Sequence, residues 1–212
     1  MIVAIGLQED TGSPPATIRV PWAAASVRRH MPNAHIVHVT NESFPGGEWA
    51  DEVFRFPRAG LDFVEWGFSA SAALCERDEG VFGMGTDVIV LRDVSDVFDR
   101  AFDFAACRYP ARTRTDRAFC GDANFFRGPL AIRVALAEYR ALPAEQRDGW
   151  EGGQTAFMRA APRLRAEELD FDTYCWTPEA PEEWPPASAR IAHFRGPRKA
   201  WMRWLAEREG LL

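Results

Sequence analysis

The sequence predicts a single α/β domain with a mixed, mostly parallel sheet flanked by helices. Three observations predict it. The runs "IVAIGL" (2–7) and "AHIVHVT" (34–40) are nearly continuous in apolar residues, as expected of strands buried on both faces. Between them "IRVPWAAASVRRH" (18–30) reads as a helix, so the first three elements form a βαβ unit and imply a parallel sheet. The chain has 212 residues and no repeat or linker divides it, so one large core can be buried. A domain of this size hides roughly 70% of its unfolded surface.

The remaining elements follow in order. "QEDTGSPP" breaks the first strand with turn residues, and "NESFPGGE" does the same after the second. "FVEWGFSASAAL" (63–74) is a mostly apolar helix. "GVFGMGTDVIVL" (80–91) is a strand, an acidic loop and a second strand. "DVSDVFD" (93–99) is a short capped helical turn, "FDFAACRY" (102–109) a strand and "ARTRTDR" (111–117) a basic loop. "ANFFRG" (123–128) is a short strand. In "PLAIRVALAEYRAL" (129–142), Pro129 suits a first helical position, and Leu130, Val134 and Ala137 recur at helical spacing. "GGQTAFMRAAPRL" opens a helix on Gln154. "FDTYCW" reads as a late strand, the proline-rich "TPEAPEEWPPAS" as a loop and "RIAHF" as the last strand. "KAWMRWLAEREGLL" closes as a helix with Trp201, Trp204 and Leu205 on one face.

Composition narrows the function. A net charge of −6 gives no broad basic footprint for nucleic acid, although "ARTRTDR" offers local positive charge that suits a phosphorylated or nucleic-acid ligand and otherwise reads as a solvated loop. The four cysteines are widely spaced, without the close pairs that structural zinc uses, and read as reduced, buried thiols. The apolar N-terminus is short and lacks a basic leader, and no run reaches the roughly 20 apolar residues of a membrane span. The expected compartment is the cytoplasm.

Three stretches can carry chemistry: "GTDVIV", "GGQTAF" and "HFRGPRKAW". Alone, Asp87 is an ordinary turn residue, His193 a core histidine and Lys199 a surface charge. Together and in this order they resemble glycogenin-like retaining glycosyltransferases. "HFRGPRKAW" is similar to that family's H-x-x-G-x-x-K-P-W signature through His193, Gly196, Lys199 and Trp201, with Ala200 in place of the proline. "MGTDVIVLRDVSDVFD" (84–99) resembles its L-D-A-D-V-V-V segment and the D-L-S-x-L-F-D that follows.

The resemblance implies a GT-A fold and sugar transfer from a nucleoside diphosphate sugar, UDP favoured, to an acceptor hydroxyl with retention. It implies that Asp87 and His193 bind a divalent metal, that Lys199 meets the diphosphate, and that Gly85, Thr86 and Gly196 line the donor. A nitrogen donor among oxygens favours Mn²⁺ over Mg²⁺. Gln154 falls where the family's glutamine faces the reacting sugar carbon. Asp122, in "FCGDANFF", falls where sugar hydroxyls are contacted, and Gln8 follows the first strand, where the base is seated. The acceptor is open: glycan, lipid-linked sugar, protein, small molecule or modified nucleobase.

Two positions depart from the family. Gly85 stands where the first carboxylate of its acid pair belongs, and Gly153 where an aspartate precedes the glutamine. Both changes remove negative charge from the donor side. The alternatives are metal-free neutralisation by Arg195, Arg198 and Lys199, and a nucleotide-sugar binding protein without catalysis. A nucleotidyltransferase would need a basic glycine-rich loop after the first strand, which "GLQEDTGSPP" does not supply.

Overall fold

A computed structural model describes residues 1–6, 15–41, 47–111, 116, 118–147 and 149–212, and their side chains except those of 15–18 and 150. The first strand, β1 (Ile2–Gly6), is followed by helix α1 (Pro15–His30), β2 (His35–Thr40) and β3 (Glu52–Arg55). Next come α2 (Phe63–Cys75), β4 (Val81–Met84), β5 (Val88–Val90), a 3-10 turn at Ser95–Asp99, β6 (Phe104–Arg108) and β7 (Phe119–Phe126). The chain ends with α3 (Leu130–Arg140), α4 (Gly149–Ala160), β8 (Ala166–Leu169), α5 (Phe171–Tyr174), β9 (Ile191–His193), a 3-10 turn at Gly196–Trp201 and α6 (Met202–Arg208).

Seven strands form one sheet in the order β3-β2-β1-β4-β7-β6-β8. β3, β2, β1 and β4 are mutually parallel, β7 is antiparallel to β4 and β6, and β8 is parallel to β6. The mixed, mostly parallel sheet is the one expected. β5 and β9 pair antiparallel as a separate ribbon, with Val88 opposite His193. That ribbon is tied to α1 inside the core, where the Val90 amide donates to Ser26 Oγ at 3.0 Å.

The period-2 alternation of the strands divides the interior. Val3 and Ile5 of β1 face a core that holds α1, α6 and the β5–β9 ribbon, whereas Ile2 and Ala4 face one that holds α2, α3 and α4. Successive strands β1, β2 and β3 run out to one side, and β4 returns to the other side of β1. The crevice at the carboxyl ends of β1 and β4 is therefore the place where such sheets seat ligands.

Four sequence expectations are corrected. Of "FDTYCW", Phe171–Tyr174 form α5, because Asp170 Oδ1 accepts from the Thr173 amide at 2.8 Å and caps a helical turn, and Trp176 alone makes a β-bridge, to Ala192. The strand at 123–128 begins earlier, at Phe119. α3 buries Ala131, Ile132, Ala135 and Tyr139, while Leu130 is 52% exposed and Pro129 sits at the cap. α4 begins at Gly149, so Gln154 lies inside it and does not open it. Closing the chain, α6 buries Met202, Leu205 and Ala206, with Trp201 and Trp204 packed partly against them.

Candidate functional site

The loop between β4 and β5 carries Gly85, Thr86 and Asp87 past the carboxyl edge of the sheet. Asp87 is buried, and its carbonyl accepts from the Phe194 amide at 2.8 Å, which registers it against the end of β9. His193, the last residue of β9, is 1% exposed. Its Nε2 lies 3.8 Å from Asp87 Oδ1 and 3.2 Å from Asp122 Oδ2, without an aligned hydrogen bond to either. Beyond β9, Gly196 adopts φ +57°, a left-handed conformation that glycine takes without strain. The 3-10 turn it opens brings Lys199 Nζ back to 3.0 Å from Asp87 Oδ2. Asp87, His193 and Lys199 are thus brought together from segments more than 100 residues apart.

Asp122 comes from β7. Between the partners of Ala106 and Arg108 on β6, β7 carries extra residues, a bulge that re-aims its side chains. The Asn124 side-chain amide braces the bulge by donating to the Gly121 carbonyl at 2.8 Å. Asp87, Asp122 and His193 each offer a ligand atom, and these atoms lie within 4.8 Å of one another. A nitrogen that is buried, unsatisfied and aimed at two carboxylates fits a divalent cation.

The electrostatics couple these groups. Burial works against a charged His193 ring, but Cys120 and Asp122 outweigh it and raise its pKa. Burial also opposes ionisation of Asp122, yet His193 and Lys199 hold its pKa below the ordinary carboxylate value. On its other edge, His193 Nδ1 lies 3.5 Å from both Cys120 Sγ and Cys175 Sγ. The two thiols, 3.1 Å apart, meet across a long sequence gap that hid their proximity. All four cysteines are free and buried, and burial pushes Cys75 up to about 12.

The other predicted residues divide. Gln154 lines a largely apolar cavity of about 200 Å³, together with Gly6, Gly85 and Asp122. The structure brings these to one place at the sheet edge. Thr86 is in the connecting turn. Gln8 and most of the 111–117 loop lie outside the described residues. Arg195 lays its guanidinium 4.7 Å over the Tyr109 ring, and Arg198 Nε donates to the Pro178 carbonyl at 2.7 Å. Lys199, by contrast, is in contact with Asp87. Gly153 is a packing position, since a Cβ there would stand 3.1 Å from Val64 Cγ1 of α2.

Sequence reasoning missed Arg19. It is 8% exposed on α1, its Nε has no hydrogen-bond partner among the described residues, and it interacts electrostatically with Asp87. Burial lowers its pKa against the attraction of Asp87. No motif marks it; the available signal was its place early in the helix after β1, at the ligand edge of the sheet.

These elements define the GT-A glycosyltransferase fold, and solved structures bear this out. The chain is similar to the galactosyltransferase LgtC in complex with donor and acceptor sugar analogues, with a TM-score of 0.64 and 13% identity over 100% of this chain and 95% of that one. It is similar to the glycosyltransferase GlyE of Streptococcus pneumoniae TIGR4, with a TM-score of 0.63 and 16% identity over 97% of this chain. This chain spans 59% of the length of GlyE. A glycosyltransferase involved in glycosylation of the major capsid of PBCV-1 matches with a TM-score of 0.63 and 12% identity, over 98% of both chains. No protein-family model and no curated protein matches the sequence.

Proposed function

We propose that this chain is a glycosyltransferase domain that moves a sugar from a nucleoside diphosphate sugar, UDP favoured, to an acceptor hydroxyl. The observation that carries the reading is His193 Nε2, buried without an aligned partner and facing Asp87 at the carboxyl edge of a GT-A sheet. Asp87 and His193 would hold a divalent metal, Mn²⁺ favoured over Mg²⁺ by the nitrogen donor. When bound, that metal takes up the charge that develops on the leaving diphosphate.

The chain's own residues do the rest. His193 offers Nε2, so its Nδ1 keeps the proton and directs it at the buried thiols of Cys120 and Cys175. Lys199 places a point charge beside Asp87, within reach of a diphosphate oxygen. Arg19 adds a buried cation on the same side. Gln154, which lines the same cavity as Asp122, is assigned to the reacting end of the sugar. Gly85, Thr86 and Gly196 shape the backbone around the donor, and Gln8 is assigned to the base. Transfer proceeds with retention, on the resemblance, and the protein works in the cytoplasm. Among the described residues no helix is long and apolar enough to cross a membrane.

Calorimetry with UDP and UDP-sugars, with and without Mn²⁺, together with a transfer and donor-hydrolysis assay, tests the reading. Mn²⁺-dependent UDP binding that disappears in Asp87→Ala, with sugar release in wild type, is the expected result. Unchanged metal dependence in that variant sinks the ligand assignment. Binding with no turnover across donors and acceptors would instead favour a nucleotide-sugar binding protein, the reading that the glycines at 85 and 153 motivate.

A further inference from the structure

We infer that Asp122 supplies the carboxylate that position 85 lacks, so that the acid pair of the metal site is split between the β4–β5 loop and the bulge of β7. The inference rests on the metal-dependent reading above. Its first support is steric. A Cβ built on Gly85 would stand 2.8 Å from Asp122 Oδ1, 2.9 Å from Asp122 Cβ and 3.0 Å from Asp87 Oδ1. The Asp122 side chain fills the volume that a side chain at 85 would need, so a carboxylate fits at one position or the other and not at both.

The second support is register. The Gly85 amide donates to the Asp122 carbonyl at 2.8 Å, directly beyond the last β4–β7 pair, Met84 with Ala123. The two positions face each other across a strand boundary, which lets a function move from one to the other without moving the site. The third support is the independent pointer to a ligand. His193 Nε2, 99% buried on the 1% exposure above, faces Asp122 Oδ2 at 3.2 Å out of line for a hydrogen bond. With Asp87 Oδ1 at 3.8 Å from the same nitrogen, the three donors surround one point from three chain segments.

A sugar-hydroxyl contact, the role expected for Asp122 from sequence, does not account for the unpartnered His193 Nε2 or for the gathering of Asp87, Asp122 and His193; a shared ligand position accounts for both. The inference therefore predicts that residues 85 and 122 are exchangeable as a pair.

Mn²⁺ binding in the presence of UDP, read by electron paramagnetic resonance on the full chain, tests it without reference to turnover. Asp122→Asn, nearly isosteric, is expected to weaken Mn²⁺ at least about tenfold while Tm without metal stays at the wild-type value. Gly85→Asp alone crowds two carboxylates into one volume and is expected to lower Tm. The double variant Gly85→Asp with Asp122→Gly is expected to regain Tm and bring Mn²⁺ affinity back to within about threefold of wild type. Wild-type Mn²⁺ affinity in Asp122→Asn overturns the inference. So does a folded double variant that binds Mn²⁺ no better than Asp122→Asn. If the double variant does not fold, Asp122→Asn decides alone. Wild type that binds UDP with no Mn²⁺ dependence overturns the metal reading itself, an outcome separate from the loss of Asp122 alone.

Discussion

Lys199 Nζ sits 3.0 Å from Asp87 Oδ2, with one partner 41% exposed and the other 7%. An ion pair of this kind gives little as a surface contact, but it carries a charge to a ligand. Lys199→Met is expected to weaken UDP-sugar binding about tenfold, near 1.4 kcal/mol, with little loss of Tm; a calorimetric titration beside a melting curve checks both parts. An equal loss of Tm and affinity would mark Lys199 as structural. Gly196→Ala acts through the backbone. Nothing stands within 4 Å of the added Cβ, so the cost is the left-handed φ, about 1 kcal/mol. For a chain this long that is a Tm drop of roughly 2–4 °C, accompanied by weaker donor binding because Lys199 is carried on the same turn. His193, Gly196 and Lys199 were legible because their spacing is local. Asp122 was visible through the resemblance of "FCGDANFF" to the family's segment, and there as a sugar contact. The Gly-Asp step is a bulge signal, but its aim at position 85 depends on a pairing that no local pattern encodes.

Among elements, legibility followed burial. The central strands β1, β2 and β4, and β9 of the ribbon, are apolar runs and could be read directly. β3 and β8, the two edges of the seven-stranded sheet, escaped notice because "EVFR" and "AEEL" are short, charged and half exposed. Charge on an edge guards against unwanted pairing and erases the strand signal at once. What holds β8 to β6 is a clamp at its start. Asp103 Oδ2 accepts from the Arg165 amide at 2.9 Å, Oδ1 meets its guanidinium at 2.7 Å, and the Asp103 amide donates to the Arg165 carbonyl at 2.9 Å. Asp103→Ala leaves the Arg165 amide without its acceptor and is expected to cost about 1–3 kcal/mol in urea unfolding. The Arg165 guanidinium holds the Asp103 carboxyl below the usual carboxylate range. A depressed carboxylate stabilises the fold above its unfolded pKa of about 4 and loses that contribution as pH falls through the lowered native value. The gap between wild type and Asp103→Asn should therefore be full at pH 7 and shrink below about pH 4. A gap that stays constant to lower pH would remove the ionised carboxylate from the account.

At the scale of the molecule, the proposed site joins two parts that the Cys120 Sγ–His193 Nδ1 contact at 3.5 Å also links. Asp122 belongs to the seven-stranded sheet, whereas His193 ends β9 and Asp87 directly precedes β5 in the separate ribbon that rests on α1. In this reading a metal shared by the three clamps ribbon to sheet, and the diphosphate adds Lys199, carried on the turn that leads into α6. Ligand binding then tightens the whole fold and not a loop. A ligand at 100 times its Kd adds about 2.7 kcal/mol, which for this length is a Tm rise of roughly 5–10 °C. UDP with Mn²⁺ should give a larger rise than UDP alone, and the Mn²⁺ increment should vanish in Asp87→Ala. Hydrogen exchange supplies the spatial half of the test, because amides of β5 and β9 should gain protection together with those of β7. Equal Tm shifts with and without Mn²⁺, or protection confined to the β4–β5 loop, would mean that the two sheets are not bridged. The clamp also accounts for the economy of the donor set: with ligands drawn from the loop, the bulge and the ribbon, a glycine at 85 removes an acid from the loop without removing it from the site.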